Sequence, residues 1–202
     1  MDIASADLDP LDLERLVNSV VVPRPIAWIT TLDESGRGNL APFSYFNVVS
    51  SGHPPIVMVS FSPKGKKDTL ANLVARGEFV VNLVSDELRA AMVASSAPLA
   101  AGDDEARRVG LDTAASASVS VPRLAAARAA LECRTHATQP VGEFTMVFGA
   151  VAHFHVDDAV IRDGRVDPAL LAPVGRLGGS LYATVSEPYR LERPEAAPDQ
   201  AG

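Results

Sequence analysis

The sequence is poor in the side chains that usually announce chemistry. One cysteine, Cys133, among 202 residues excludes an internal disulfide, a cysteine-rich zinc site and an iron–sulfur cluster, and it fits a reducing compartment. Positive charge is scarce too: 18 lysines and arginines against 25 acidic residues leave a net charge of −7. Such a field disfavours sequence-independent binding to nucleic acid or to an anionic membrane. Long apolar runs are missing, and Ile56 to Phe61, the most apolar stretch, is far below the roughly 20 residues that span a bilayer. The first residues carry Asp2, Asp7, Asp9, Asp12 and Glu14 with no basic segment before an apolar run, so no secretory signal is expected and a cytoplasmic location is. Aromatics are only 5% of the chain; alanine and valine supply much of the apolar share.

What is present reads as strands with a few helices between them. Ile26 to Leu32 and Asn39 to Ser50 are β-rich runs joined by Asp33-Glu34-Ser35-Gly36-Arg37-Gly38, which predicts a hairpin. Pro54-Pro55 opens a third strand, Ile56 to Ser62, so three successive strands suggest a meander. Leu70, Leu73 and Val74 share one helical face between Asp68, a candidate start, and Gly77, a candidate stop. Phe79 to Val84 is again extended, and Ser85 can cap a helix over Asp86 to Ala94. Two long strands follow, Arg128 to Thr138 and Phe144 to Val156. In the first, alternation puts Leu131, Cys133 and Thr135 on a dry face and Glu132, Arg134 and His136 on a wet one. Asp163-Gly164 predicts a turn, Asp167-Pro168 a short helix, and Gly175 to Val185 an extended return. This pattern fits an antiparallel barrel with helices at its corners.

The richest polar cluster is Asn39 to Asn47, followed by Ser60-Phe61-Ser62 and Lys66-Lys67-Asp68-Thr69. Hydroxyls, a lysine charge and the amide donors of a helix start suit a phosphate; a solvated loop before a capped helix accounts for the same residues. Gly65-Lys66 is not a phosphate loop, because Ser60 stands where its first glycine belongs and Lys67 where its hydroxyl belongs. Gly36-Arg37-Gly38 precedes a strand, so it is no dinucleotide fingerprint. His153 and His155 share a strand face but lack an evident third metal ligand. No Gly-x-Ser-x-Gly elbow occurs. Arg176 to Tyr182 combines a cation, a phenol and two glycines that admit close approach, or simply a bend.

Four segments together, Arg24-Pro25-Ile26-Ala27-Trp28-Ile29-Thr30-Thr31, Ala41 to Ser50, Lys67-Asp68-Thr69 and Gly77-Glu78-Phe79-Val80-Val81-Asn82-Leu83, resemble the flavin reductase-like family of FMN-binding split barrels. Leu131 to Arg134 and Arg176 to Tyr182 are similar to its longer branch, which includes reductase components of two-component monooxygenases. The resemblance implies a mainly β, six-stranded antiparallel split barrel with inserted helices, spanning residues 20–190 between an N-terminal extension, 1–19, and a frayed tail, 191–202. It further implies a homodimer, FMN as cofactor, NADH or NADPH as hydride donor, and a flavin-dependent monooxygenase as a partner. Carried onto this chain, Ser44, Tyr45, Phe46 and Asn47 would line the isoalloxazine and ribityl region. Ser60, Phe61 and Ser62 would meet the ribityl phosphate arm, Lys67, Asp68 and Thr69 would close on the phosphate, and Arg176 and Tyr182 would stand beside the site. The alanine-rich Leu124 to Ala130 departs from the expected pattern and bears on partner contacts or substrate access. A bound flavin carries the redox chemistry itself, which suits a chain without a catalytic constellation. An electron carrier or flavin-holding protein without nicotinamide activity, or a barrel holding another ligand such as haem, remain open alternatives.

Overall fold

The computed structural model describes residues 2–64, 68–97 and 104–192. Its centre is a curled antiparallel sheet of seven strands: β2 (Ala27–Leu32), β3 (Gly38–Phe43), β4 (Phe46–Ser50), β5 (Ile56–Phe61), β6 (Glu78–Leu83), β9 (Ala129–Val141) and β10 (Phe144–Val156), hydrogen-bonded in the order β3-β2-β6-β9-β10-β5-β4. A second sheet combines β1 (Arg24–Pro25), β13 (Val174–Arg176) and β14 (Tyr182–Thr184). Two small ribbons, β7 (Thr113–Ala114) with β8 (Arg123–Leu124) and β11 (Ile161–Arg162) with β12 (Arg165–Val166), complete the strands. The α-helices are α1 (Pro10–Val20), α2 (Asp68–Arg76), α3 (Arg89–Ala94), α4 (Glu105–Arg108) and α5 (Pro168–Leu171).

The predicted hairpin forms as β2 and β3, with Thr31 opposite Asn39. Asp33 makes its turn: Oδ1 accepts from the amides of Ser35 and Arg37, both at 2.9 Å, and Gly36 takes φ +84°. The expected meander forms with its middle strand bent: the run Asn39 to Ser50 bends at Ser44 and Tyr45, its first half, β3, pairing with β2 and its second half, β4, with β5, so that the two halves stand at opposite edges of the sheet. Counted as one bent strand, β3 and β4 reduce the seven segments to the six strands of the expected split barrel. The Tyr45 carbonyl accepts from the Ser60 amide at 2.8 Å, and the rings of Phe43 and Phe61 meet edge to face with centroids 4.7 Å apart.

β2 is buried on both faces, because alternate side chains enter two different cores. Ala27 and Ile29 join Val59, Phe61, Phe79 and Cys133 inside the barrel. Ile26 and Trp28 join Leu40, Leu88 and Met92 outside it, and Trp28 Nε1 donates to Ser95 Oγ at 2.9 Å. Gly77 ends α2 as predicted, with φ +70° and its amide donating to the Leu73 carbonyl. The helix expected over Asp86 to Ala94 is divided into a 3₁₀ turn, Asp86–Leu88, and α3, and Ser85 makes no side-chain cap.

Glu132 corrects the predicted wet face of β9: it is buried, and its carboxylate accepts from the amides of Ala117 (2.8 Å) and Ser118 (2.6 Å). The loop that covers this face comes from elsewhere in the chain, so strand alternation alone did not reveal it. The tail beyond Glu192 lies outside the described residues. Among the described residues, no helix is long and apolar enough to cross a membrane.

Candidate functional site

An open cleft of about 840 Å³ lies over the bend between β3 and β4. Pro42, Phe43, Ser44 and Tyr45 form its floor, Ser60, Ser62 and Lys64 continue it beyond β5, and Glu143 and Phe144 enter from the β9–β10 turn. Helix α1 supplies one wall through Leu13, Glu14, Val17 and Asn18; Arg24, Arg176 and Gly179 supply another.

Local sequence explains each wall. Asp9 starts α1 by accepting from the amides of Leu11 and Asp12, both at 2.9 Å, with Pro10 in the first turn. Three polar ties hold this helix to the cleft. Tyr45 Oη donates to Asn18 Oδ1 at 2.9 Å, Lys64 Nζ meets Glu14 Oε2 at 2.5 Å, and Arg24 Nη1 donates to the carbonyls of Asn18 (2.6 Å) and Val21 (2.9 Å). Glu14 pushes the Lys64 ammonium above its ordinary pKa. Tyr45 stacks on Phe144 with centroids 5.7 Å apart and has the Arg24 guanidinium 5.9 Å from its ring.

Arg24 is only 8% exposed, yet its Nε has no hydrogen-bond partner; Nη2 donates to the Leu177 carbonyl at 2.9 Å. Burial lowers its pKa first, with Tyr45 opposing and Arg176 adding to the fall. Arg176 donates to Tyr182 Oη and to the Gly179 carbonyl, with its guanidinium 4.6 Å from the Tyr182 ring centroid.

The cleft therefore brings together Ser44, Tyr45, Ser60, Ser62 and Arg176 of the residues expected from sequence, with Tyr182 behind Arg176. Others stand elsewhere. Phe46 and Phe61 are core residues, and Asn47 is exposed on the outer strand, its Oδ1 accepting from the Val48 amide. Asp68 is exposed at the start of α2, while Thr69 is buried and accepts from Asn39 Nδ2 at 2.8 Å. Lys67 lies outside the described residues. Sequence reasoning passed over Asn18, Arg24 and Phe144 as site residues, whereas Lys64 belongs to the lysine cluster, with Lys66 and Lys67, that the sequence offers to an anionic flavin. Arg24 carried a signal, a cation set between prolines before an apolar strand; Asn18 and Phe144 carried none, because tertiary folding alone brings their elements to the bend.

The donor set fits FMN. Among the described residues, the hydroxyls of Ser44 and Ser60 have no partner, and they share the cleft with Lys64 and an aromatic pair. Hydroxyls and a cation suit a ribityl phosphate, and the aromatic and proline surfaces suit a flat ring.

A family model described as a flavin reductase like domain matches residues 19–172. An uncharacterized protein of Halalkalibacterium halodurans is 39% identical over 189 residues, covering 89% of this chain and 90% of its own. Among solved structures, nitrilotriacetate monooxygenase component B from Bacillus cereus superposes with a TM-score of 0.90 at 31% identity, covering 95% of this chain and 98% of that one. The 2-nitrobenzoate 2-nitroreductase NbaA of Pseudomonas fluorescens gives 0.89 at 33% identity, with 100% of both chains covered.

Proposed function

This chain belongs to the flavin reductase-like family and is by class a flavin oxidoreductase; on that footing we propose that it binds FMN in the cleft and oxidises NADH or NADPH. The observation that carries this reading is the seam at Ser44 and Tyr45, where the Ser44 and Ser60 hydroxyls, without a partner among the described residues, a stacked aromatic pair and an open wall meet in one cleft. FMN, when bound, supplies the hydride and electron transfer. The protein's part is to hold and orient. Ser44 and Tyr45 flank the ring, and Ser60 and Ser62 receive the ribityl phosphate arm, with Lys67 as its proposed charge partner. Asp68 and Thr69 stand outside the cleft and take no part in this reading. Phe46 and Phe61 support the floor from the core. The cleft's open side leaves one ring face for a nicotinamide.

A second copy of the chain is proposed to cover the outer strand β4, where Asn47 to Ser50 are exposed. The component B neighbour is by name part of a monooxygenase, which supports a partner oxygenase as the electron acceptor. On this reading, residues 20–190 form the flavin-binding unit, and the helix within the preceding segment closes one wall.

The visible spectrum of the purified protein, recorded with FMN before and after NADH or NADPH, tests the function. A flavin spectrum that bleaches on adding either donor is expected. Bound FMN that neither donor bleaches would leave a flavin-holding electron carrier, and FMN absorbance and fluorescence that the protein leaves unchanged would remove the cofactor.

A further inference from the structure

Arg24 and Arg176 are direct partners in the antiparallel register of β1 and β13. Directly opposed cross-strand side chains share a face of the sheet, and like charges at such positions repel. Other arginines of the chain do meet carboxylates, as Arg128 meets Glu87 and Arg162 meets Asp167. Among the described residues, no carboxylate pairs with either Arg24 or Arg176; their hydrogen bonds end on neutral carbonyls and on the Tyr182 hydroxyl. Those dipoles orient the guanidinium groups without cancelling their charge. Arg24 is nine-tenths buried with Nε unpartnered. In a chain of net charge −7, two adjacent, unneutralised cations on a cleft wall are a cost that the fold itself does not offset.

An anion offsets it. The planar fork of a guanidinium matches the oxygens of a phosphate or carboxylate at two points. The phosphate of FMN is proposed to meet Ser60 and Ser62, at the β5 side of the cleft. The arginine pair belongs to the other sheet, and Arg176 is the partly exposed member, beside Gly179 at the surface. A dinucleotide whose nicotinamide enters the open cleft carries its diphosphate outward, past that rim.

We propose that Arg24 and Arg176 form a subsite for the diphosphate of the nicotinamide dinucleotide, resting on the flavin reductase reading above. Arg176 binds the diphosphate. Arg24 is a positioning residue: it joins the end of α1 to Leu177 and adds its charge behind Arg176.

The test compares NADH with N-benzyl dihydronicotinamide, a hydride donor without phosphates, on FMN-loaded wild type and Arg176→Gln. The KM for NADH should rise at least tenfold more than that for the neutral donor, the FMN dissociation constant should stay within threefold, and Arg176→Lys should recover part of the loss. Equal losses with both donors, or an FMN affinity that falls as far as the NADH affinity, overturn the subsite. Inorganic diphosphate titrated into the FMN-loaded protein and followed by calorimetry gives a readout without turnover. Binding to wild type that weakens at least tenfold in Arg176→Gln supports the proposal; equal binding, or none to wild type, overturns it. If FMN-loaded wild type oxidises neither donor, the reductase reading falls by itself and this titration still decides the subsite.

Discussion

Gly149 of β10 leaves room for the Phe79 ring of β6 inside the barrel. A Cβ built there would lie 2.4 Å from Phe79 Cζ and 3.3 Å from Cys133 Cβ, and both neighbours are fully buried. Gly149→Ala is therefore expected to destabilise the protein by about 1–3 kcal/mol, the usual cost of overpacking a dense core. A urea midpoint shifted downward with unchanged slope would show it; an unshifted midpoint would mean that Phe79 swings aside freely. Cys133 shares this environment, and burial pushes its thiol well above the usual range, so it packs as an apolar residue in the way its strand position suggested. Glu132 beside it was not legible: alternation assigned it to water, whereas Ala117 and Ser118 turn their amides onto it. Local pattern names the side of a strand, but not whether a distant loop will cover that side.

At the scale of elements, α1 is the longest helix among the described residues, yet it buries no residue and lies on the cleft through polar ties. A hydrogen bond of the Tyr45–Asn18 kind contributes about 1 kcal/mol net, and the exposed Lys64–Glu14 pair is screened by solvent. The double variant Asn18→Ala, Glu14→Gln should thus loosen α1 by roughly fivefold in its equilibrium with an undocked state, the equivalent of about 1 kcal/mol. Hydrogen exchange followed by mass spectrometry would register faster exchange over residues 10–20 with the amides of β2 and β6 still protected. Equal protection in variant and wild type would show that the apolar side of α1 holds it instead. Elements governed by local chemistry were readable in the sequence: the Asp33 turn, the Gly77 stop, the Asp163-Gly164 turn with both residues at positive φ, and the two long strands. The bend after Phe43 was not, since Asn39 to Ser50 is uniformly β-prone and only tertiary pairing separates its halves.

For the whole molecule, the exposed strand β4 is the feature without an explanation inside one chain. Val48 is 64% exposed and Val49 53%, at the edge of a sheet, an arrangement that isolated proteins tend to avoid. The proposed second copy would cover it. Light scattering should give twice 21.2 kDa for wild type and a shift toward 21.2 kDa for Val48→Asp, with the far-ultraviolet dichroism retained. A monomeric wild type would overturn the dimer. The same outline explains how the family pattern was visible before any coordinates: the residues that carried it, Arg24 to Thr31 and Ala41 to Ser50, form β2 and the seam around it. What remained hidden was the wall made by α1 and the β9–β10 tip, which come from segments far from the bend in sequence; Arg176 of β13 was expected there.

Only Ser44 and Tyr45 separate two strands that stand at opposite ends of the hydrogen-bonded order. The hinge that shuts the barrel is thus also the floor of the cleft, and there is no slack in it. Drift in length or composition is cheap at the rim, where a helix, a short strand and a hairpin tip each arrive independently. At the floor the same drift would unfasten the barrel, so new specificities on this scaffold must be written around its pocket, from the outside in.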